Sequence, residues 1–151
     1  MLKEAFMTFV MAMLPVVELR GAIPFGVVSG LSIQASFILS VLGNLLPVPF
    51  LVVFTRKVFE WLQSKNEWLR KIVERLEKKA DKNKEVVLRS EFWGLMILVA
   101  IPLPGTGAWT GALVAAMLNM RLSRAIPSIG LGVLLAGIIV TTITYGAGAL
   151  F

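Results

Sequence analysis

Two stretches of this chain decide its fold: LPVVELRGAIP at residues 14–24 and IPLPGTGAWTG at residues 101–111. Each interrupts an apolar segment long enough to cross a membrane, over residues 5–28 and 92–118 respectively. Proline removes a backbone donor and glycine weakens a helix, so neither stretch should continue as a regular helix. The released backbone groups need partners in protein or in a water-filled cavity, because lipid offers none.

The composition indicates a membrane protein. Of 151 residues 57% are hydrophobic and only 16% are charged, whereas soluble domains contain about 45–50% apolar residues. The chain has no cysteine and no histidine, which excludes disulfides, thiol nucleophiles and metal sites built from those residues. We therefore expect no metal, no cofactor, no catalytic residues and no enzyme.

The charges are concentrated in residues 56–91, which hold 18 of the 24 charged side chains and no glycine or proline. Apolar residues recur there at three- and four-residue steps, which predicts amphipathic helices with a break at 80–84. This connector either contacts anionic lipid headgroups or is a solvated link that packs on its own partner helix. Nucleic-acid binding is disfavoured because the connector's net charge is only +4.

The apolar remainder forms two halves of one membrane domain, 1–55 and 92–151, with further spans predicted at 34–55 and 124–150. Both halves have the same order of parts: a broken segment comes first, a short polar loop follows, and a less interrupted span comes last. At an offset of 87 residues the identities are Pro15 with Pro102, Leu31 with Leu118, Ser36 with Ser123, and Gly43 with Gly130.

We interpret the chain as an all-α integral membrane protein with an inverted repeat. Each half would comprise a re-entrant hairpin, broken by proline and glycine, and a transmembrane helix; the alternative is four spanning segments. Both arrangements place the basic connector in the cytoplasm by the positive-inside rule, with the protein in the cell membrane.

Glu18 and Arg20 are the only charged residues deep in the apolar part. Such residues are functional candidates by default. They point apart on a regular helix and converge only if residues 18–20 are unwound. Arg20 would then bind an anion such as phosphate, and Glu18 would hold Arg20 or take up a proton. The alternative is an ion pair that merely closes the hairpin tip.

The second stretch supplies hydroxyls, an indole and free backbone amides, which suit an anion; close packing of small residues with an interfacial tryptophan is the alternative. The predicted substrate-binding or coupling residues are Glu18, Arg20, Gly21, Pro24, Pro102, Pro104, Gly105, Thr106, Gly107, Trp109 and Thr110, with Asn44, Arg121 and Arg124 as secondary candidates. At the offset of 87 residues, Gly105 and Gly107 occupy the places of Glu18 and Arg20.

The stretches PVVELRGAIP at 15–24 and PLPGTGAWTG at 102–111, together with the charged helical middle, resemble the small multidrug export protein family. That family is remotely similar to the DedA superfamily, which includes polyprenyl-phosphate and phospholipid translocases. The resemblance implies paired re-entrant hairpins meeting at mid-membrane, embedded acidic and arginine residues, coupling to an ion gradient, and a homodimer.

The expected function is translocation of an amphipathic, anionic substrate through a midplane site, with a lipid phosphate as the first candidate. The alternatives are proton-coupled export of small drugs or ions, and a membrane scaffold that transports nothing. The expected partners are the bilayer, the amphipathic substrate and a second copy of the chain.

Overall fold

The computed structural model describes residues 1–82, 84–146 and 148, and its regular structure in those residues is entirely helical. The helices are α1 (Leu2–Met13), α2 (Glu18–Val28), α3 (Ile33–Leu45), α4 (Val48–Lys65), α5 (Glu67–Lys82), α6 (Lys84–Ala100), α7 (Ala108–Met117) and α8 (Leu122–Tyr145). The all-helical prediction is confirmed.

Both predicted breaks lie next to a proline. Helix α1 ends two residues before Pro15 and α6 ends two residues before Pro102. Because the residue before a proline is pushed out of the helical region, a helix commonly stops there. The first break covers residues 14–17 and the second covers 101–107.

Unwinding of residues 18–20, the condition for Glu18 and Arg20 to converge, is limited to Glu18, whose φ is +49°. Helix α2 begins at Glu18 and continues through Pro24. The turn before it stays hydrogen-bonded, because the N–H of Glu18 donates to the carbonyl of Leu14 (2.9 Å). Pro24 forgoes only one helical hydrogen bond, and the rest of α2 tolerates that loss.

Two helical stretches are long and apolar enough to cross a membrane. One is the 33-residue stretch Ile33–Lys65, which comprises α3, α4 and the turn at Pro47, and the other is Leu122–Tyr145 with 24 residues. By contrast α1, α2 and α7 have 12, 11 and 10 residues. A helix needs about 20 residues to cross the hydrocarbon core, so these three are too short to span it.

The connector contains a break that the sequence pattern did not predict. Asn66 separates α4 from α5 in an extended conformation (φ −129°). Its side-chain oxygen accepts a hydrogen bond from the N–H of Trp68 (3.1 Å), which is the usual role of asparagine before a helix. The predicted break at 80–84 coincides with the end of α5 at Lys82 and the start of α6 at Lys84, and residue 83 lies outside the described residues.

Many buried positions hold small side chains, although Leu19, Ile23 and Ile129 are buried with them, and many other large apolar side chains are exposed. Alanines at positions 12, 22, 108, 112, 115 and 125 are fully buried. In contrast, Phe50 and Ile143 are 72% and 76% exposed. Water disfavours such a surface, whereas a bilayer covers it and rewards close packing of helices through small residues.

Helices α2 and α7 end with the same backbone geometry. Each is followed by a residue in the left-handed region, Gly30 (φ +94°) and Asn119 (φ +52°). In both places the next N–H donates to the carbonyl five residues earlier, at 3.0 Å, as in a Schellman motif. The positions are separated by 89 residues.

A second geometry also occurs in both halves. In each half a glycine of one helix lies against the backbone of a second helix and against the side chain three residues further along it. In the first half Gly43 of α3 lies against Phe9 and Ala12 of α1. In the second half Gly132 of α8 lies against Met96 and Val99 of α6. At Gly132 a Cβ would lie 2.7 Å from the carbonyl oxygen and 2.7 Å from the neighbouring Cβ. Both contacts therefore require glycine.

Candidate functional site

Glu18 bridges the two breaks. It is the first residue of α2, has φ +49° and is only 4% exposed. Its Oε1 accepts a hydrogen bond from the backbone N–H of Trp109 (3.2 Å), in the first turn of α7. A carboxylate in this position satisfies a free helix donor and is stabilised by the positive end of the helix dipole.

Gly107 makes this approach possible. It is the residue before α7 and has φ +127°. A Cβ on Gly107 would lie 2.7 Å from Cδ of Glu18 and 2.8 Å from its Oε1. A side chain at this position would therefore displace the carboxylate from the helix end.

Arg20 binds the opposite end of the second break. Its Nη1 donates to the carbonyl of Leu103, and its Nη2 donates to the carbonyl of Ile101 (3.2 Å) and to Oγ1 of Thr106 (2.8 Å). These carbonyls follow the C-terminus of α6, where a helix leaves its acceptors free and favours a cation. The acceptors of Arg20 are thus uncharged oxygens.

Two threonines hold the second break together. Oγ1 of Thr106 lies 2.6 Å from the carbonyl of Ile101 and 2.8 Å from that of Leu103. The hydroxyl of Thr110 donates to the carbonyl of Gly105 (2.9 Å). The segment 101–107 is therefore an ordered loop with much of its backbone hydrogen-bonded.

Trp109 ties this loop to the first break. Its Nε1 donates to the carbonyl of Met13, the last residue of α1 (3.0 Å). Its backbone and its side chain therefore contact different parts of the first break. A role in joining the breaks accounts for these contacts, which a purely interfacial anchor does not need.

The ion pair between Glu18 and Arg20, one of the alternatives for these residues, is not formed: within the described residues the two side chains make no salt bridge. Glu18 instead accepts from the N–H of Trp109, and Arg20 donates to the carbonyls of Leu103 and Ile101. The two side chains therefore reach different ends of segment 101–107.

The remaining predicted residues fall into two groups, those in the loop 101–107 and those on α2. Pro102, Pro104 and Gly105 belong to the loop itself. Gly21 packs on Val17, where a Cβ would lie 2.6 Å from Cγ1 of the valine, and Pro24 lies further along α2. Neither residue contacts the second break through a hydrogen bond of the described chain.

The secondary candidates are not part of the centre. Asn44 is buried on α3 and is 1% exposed. Arg121 precedes α8, and Arg124 lies in its first turn, both exposed. Partial burial raises the pKa of Glu91, which lies before the third apolar segment, and the charge of Arg124 opposes that shift.

The structure adds three backbone groups that the sequence pattern did not indicate: the carbonyls of Met13, Ile101 and Leu103. A carbonyl has no sequence signature, because every residue carries one. The only available signal was their position beside prolines, where helices leave such groups free.

Comparison with known proteins identifies the family. No curated protein and no solved structure matches the chain. The model of the family described as "Putative small multi-drug export protein" matches residues 18–139, a range that begins at Glu18 and includes both Arg20 and the loop 101–107. Since this range covers most of the 151 residues, the chain belongs to the small multi-drug export protein family.

Proposed function

We propose that this protein is a membrane exporter in which Glu18 and Arg20 couple substrate binding to separation of the two breaks. This proposal rests on the different partners of the two side chains. Glu18 binds the N-terminus of α7, and Arg20 binds the carbonyls after α6. Each charge is bonded by neutral groups of the second break, and within the described residues the two form no salt bridge with each other. A substrate or a proton that neutralises either group would therefore weaken the contact between the breaks.

The surroundings of Arg20 support an anionic substrate. Its partners are two carbonyls and one hydroxyl, so its positive charge has no counter-ion there. A phosphate or carboxylate forms shorter and stronger bonds with a guanidinium than neutral oxygens do, and phosphate fits its forked donors. The neighbouring Ile101 and Leu103 are 42% and 56% exposed, so an amphipathic molecule can approach from this side. A lipid phosphate remains our first candidate.

The membrane arrangement that we propose is an inverted repeat with two re-entrant helix pairs, α1–α2 and α6–α7. The repeated end of α2 and α7 and the repeated glycine contacts support it. The glycine contacts also show how the two halves align. Before the breaks Phe9 corresponds to Met96, an offset of 87 residues. After the breaks Gly43 corresponds to Gly132, an offset of 89 residues. The exposed backbone of 101–105 would then face water or a second copy of the chain.

Labelling can test this arrangement, because the chain has no cysteine of its own. With re-entrant pairs, S29C lies on the side opposite the connector, which the basic residues place in the cytoplasm. Labelling of S29C from the outside is the expected result. Labelling from the cytoplasmic side alone would overturn the re-entrant arrangement.

A second candidate function is proton-coupled export of small cationic drugs, and the family description favours it. In that case Glu18 would meet the cation or the proton, and Arg20 would only hold the loop. Two variants separate the candidates: R20K keeps the charge but loses the fork, and E18Q keeps the shape but loses the carboxylate.

The experiment is transport in proteoliposomes, with and without a pH gradient, using a fluorescent phosphatidic acid and ethidium as probes. We expect the lipid probe to move, R20K to slow it, and E18Q to remove its dependence on the gradient. R124K is the matched control, because Arg124 is exposed and outside the site. Movement of ethidium alone, with R20K neutral, would replace the first candidate by the second. If neither probe moves with the unaltered protein, the exporter proposal fails.

A further inference from the structure

One face of α3 carries three buried polar atoms that no protein group satisfies. In the described part of the chain, five buried side-chain polar atoms have no hydrogen-bond partner, and Ser36 Oγ, Ser40 Oγ and Asn44 Oδ1 are three of them. Their residues are 0–1% exposed. The spacing of four residues places all three on one side of the helix, and we call this side the α3 ladder.

The α3 ladder runs from the turn at residues 29–32 towards Glu18. Helices α2 and α3 flank that turn and pack against each other, so they are antiparallel. Gly26 lies opposite Ser36, since a Cβ on the glycine would lie 2.6 Å from Oγ of the serine. Eight residues further along α3 is Asn44, and eight residues back along α2 is Glu18. Both steps rise about 12 Å, so Asn44 lies at the height of Glu18.

Among the described residues, helix α8 has one buried unsatisfied side-chain atom, Thr141 Oγ1, and no run of three. At the offset of 89 residues, Ser36, Ser40 and Asn44 correspond to alanine, isoleucine and valine at 125, 129 and 133, all fully buried. The burial is the same in both halves, but only the half that contains Glu18 has polar side chains at these places. Packing alone therefore does not require hydroxyls and an amide there.

We propose that the α3 ladder is the route by which water, and with it the proton, reaches Glu18 during the transport cycle. This inference rests on the proposed function in one respect, the exchange of a proton at Glu18. Arg20 is the nearest charged group along α2, and neither α3 nor α7 carries a charged side chain. Of the other helices packed on α2, α1 carries Lys3 and Glu4 in its first turn, and α8 carries Arg124 in its first turn. A buried carboxylate in such surroundings needs a polar connection to the membrane surface in order to gain or lose a proton.

The ladder is closed in the present conformation, and its construction allows it to open. Gly26 on α2 faces it at Ser36, and Ala12 on α1 lies against the neighbouring Gly43 of α3. Separation of α3 from the α1–α2 pair would let water bond the unsatisfied oxygens. Hydration of these atoms offsets part of the cost of separating the packed helices, which the apolar positions of α8 cannot do.

Introduced cysteines measure the opening directly. S40C is nearly isosteric and reports on the ladder, I129C is its matched control in the other half, and S64C is an exposed control. Each variant is placed in liposomes and treated with a charged methanethiosulfonate reagent, and mass spectrometry measures the modified fraction over time. We expect S40C to react at least about tenfold faster than I129C, because a thiol that meets no water forms little of the reactive thiolate.

A second measurement tests the proton. During movement of fluorescent phosphatidic acid, a pH-sensitive dye inside the liposome reports proton entry. We expect S40V to slow proton entry and I129V to leave it unchanged. A S40C thiol as unreactive as that of I129C would overturn the ladder, and so would proton entry in S40V equal to a measurable entry in the unaltered protein. If S40C reacts rapidly but the unaltered protein moves neither lipid nor proton, the water route stands and the proposed function fails.

Discussion

Replacement of Gly107 by alanine tests the contact between the two breaks most directly. Gly107 has φ +127°, and holding a residue with a side chain in such a region costs about 1–3 kcal/mol. The new Cβ would also stand 2.7 Å from Cδ of Glu18. The carboxylate must then move and lose its bond to Trp109, which for a charged acceptor is worth about 1.5–3 kcal/mol. Together the two effects should lower the free energy of unfolding by about 2.5–6 kcal/mol.

The assay is thermal unfolding of the purified protein in detergent, followed by transport in liposomes. For a chain of this size each kcal/mol shifts Tm by about 2–4 °C, so G107A should melt roughly 10 °C lower. Transport of the lipid probe should fall as well, because Glu18 no longer holds α7.

The matched control is G105A. Gly105 also has positive φ (+81°), but no atom lies within 4 Å of its Cβ position. G105A should therefore show the backbone strain alone and a smaller loss of Tm. In an E18A background, the additional cost of G107A should shrink by about 1.5–3 kcal/mol, since nothing remains to collide. Equal losses for both glycine variants, with no change in the E18A background, would refute the assigned contact.

Four other substitutions probe the same geometry. G132A should destabilise the protein by about 1–3 kcal/mol in thermal unfolding, because its Cβ would lie 2.7 Å from α6. G130A should be neutral or stabilise it by up to about 1 kcal/mol, since nothing lies within 4 Å of that position; similar losses in both variants would contradict the glycine contact. W109F should lose the bond from the indole to Met13 (3.0 Å), lowering the unfolding free energy by about 1 kcal/mol; an unchanged Tm would argue against that bond. R20K should reduce transport of the lipid probe while leaving Tm within a few degrees, whereas a collapse of Tm would show that Arg20 acts mainly on stability.

The breaks were predictable because proline acts locally. Pro15 and Pro102 disrupt the helix wherever the rest of the chain folds, so the sequence alone located the ends of α1 and α6. The same local reasoning overestimated Pro24, which α2 accommodates at its seventh position. A single proline removes one hydrogen bond, and the packing of α2 on its neighbours outweighs that loss.

The sequence predicted Thr106 and Trp109 as site residues, but not that Glu18 and Arg20 bind there, because most of their partners are backbone groups more than 80 residues away. Sequence reasoning considered a pair between the two charges, since they are neighbours in the chain and alone in an apolar segment. In the structure each side chain instead bonds groups of the second break. Asn66 was missed for a different reason: a lone asparagine between two amphipathic stretches resembles any other exposed polar residue until its capping bond is seen.

The alignment of the two halves after their breaks also explains why the second half carries no charge at its break. At the offset of 89 residues the counterpart of Glu18 is Gly107. The space that a side chain would need at Gly107 is filled by the carboxylate of Glu18. A second carboxylate there would meet the first at one helix end, where two like charges repel. The two breaks are therefore complementary: the first supplies the charged side chains, and the second supplies the helix N–H, the two carbonyls and the Thr106 hydroxyl that bind them.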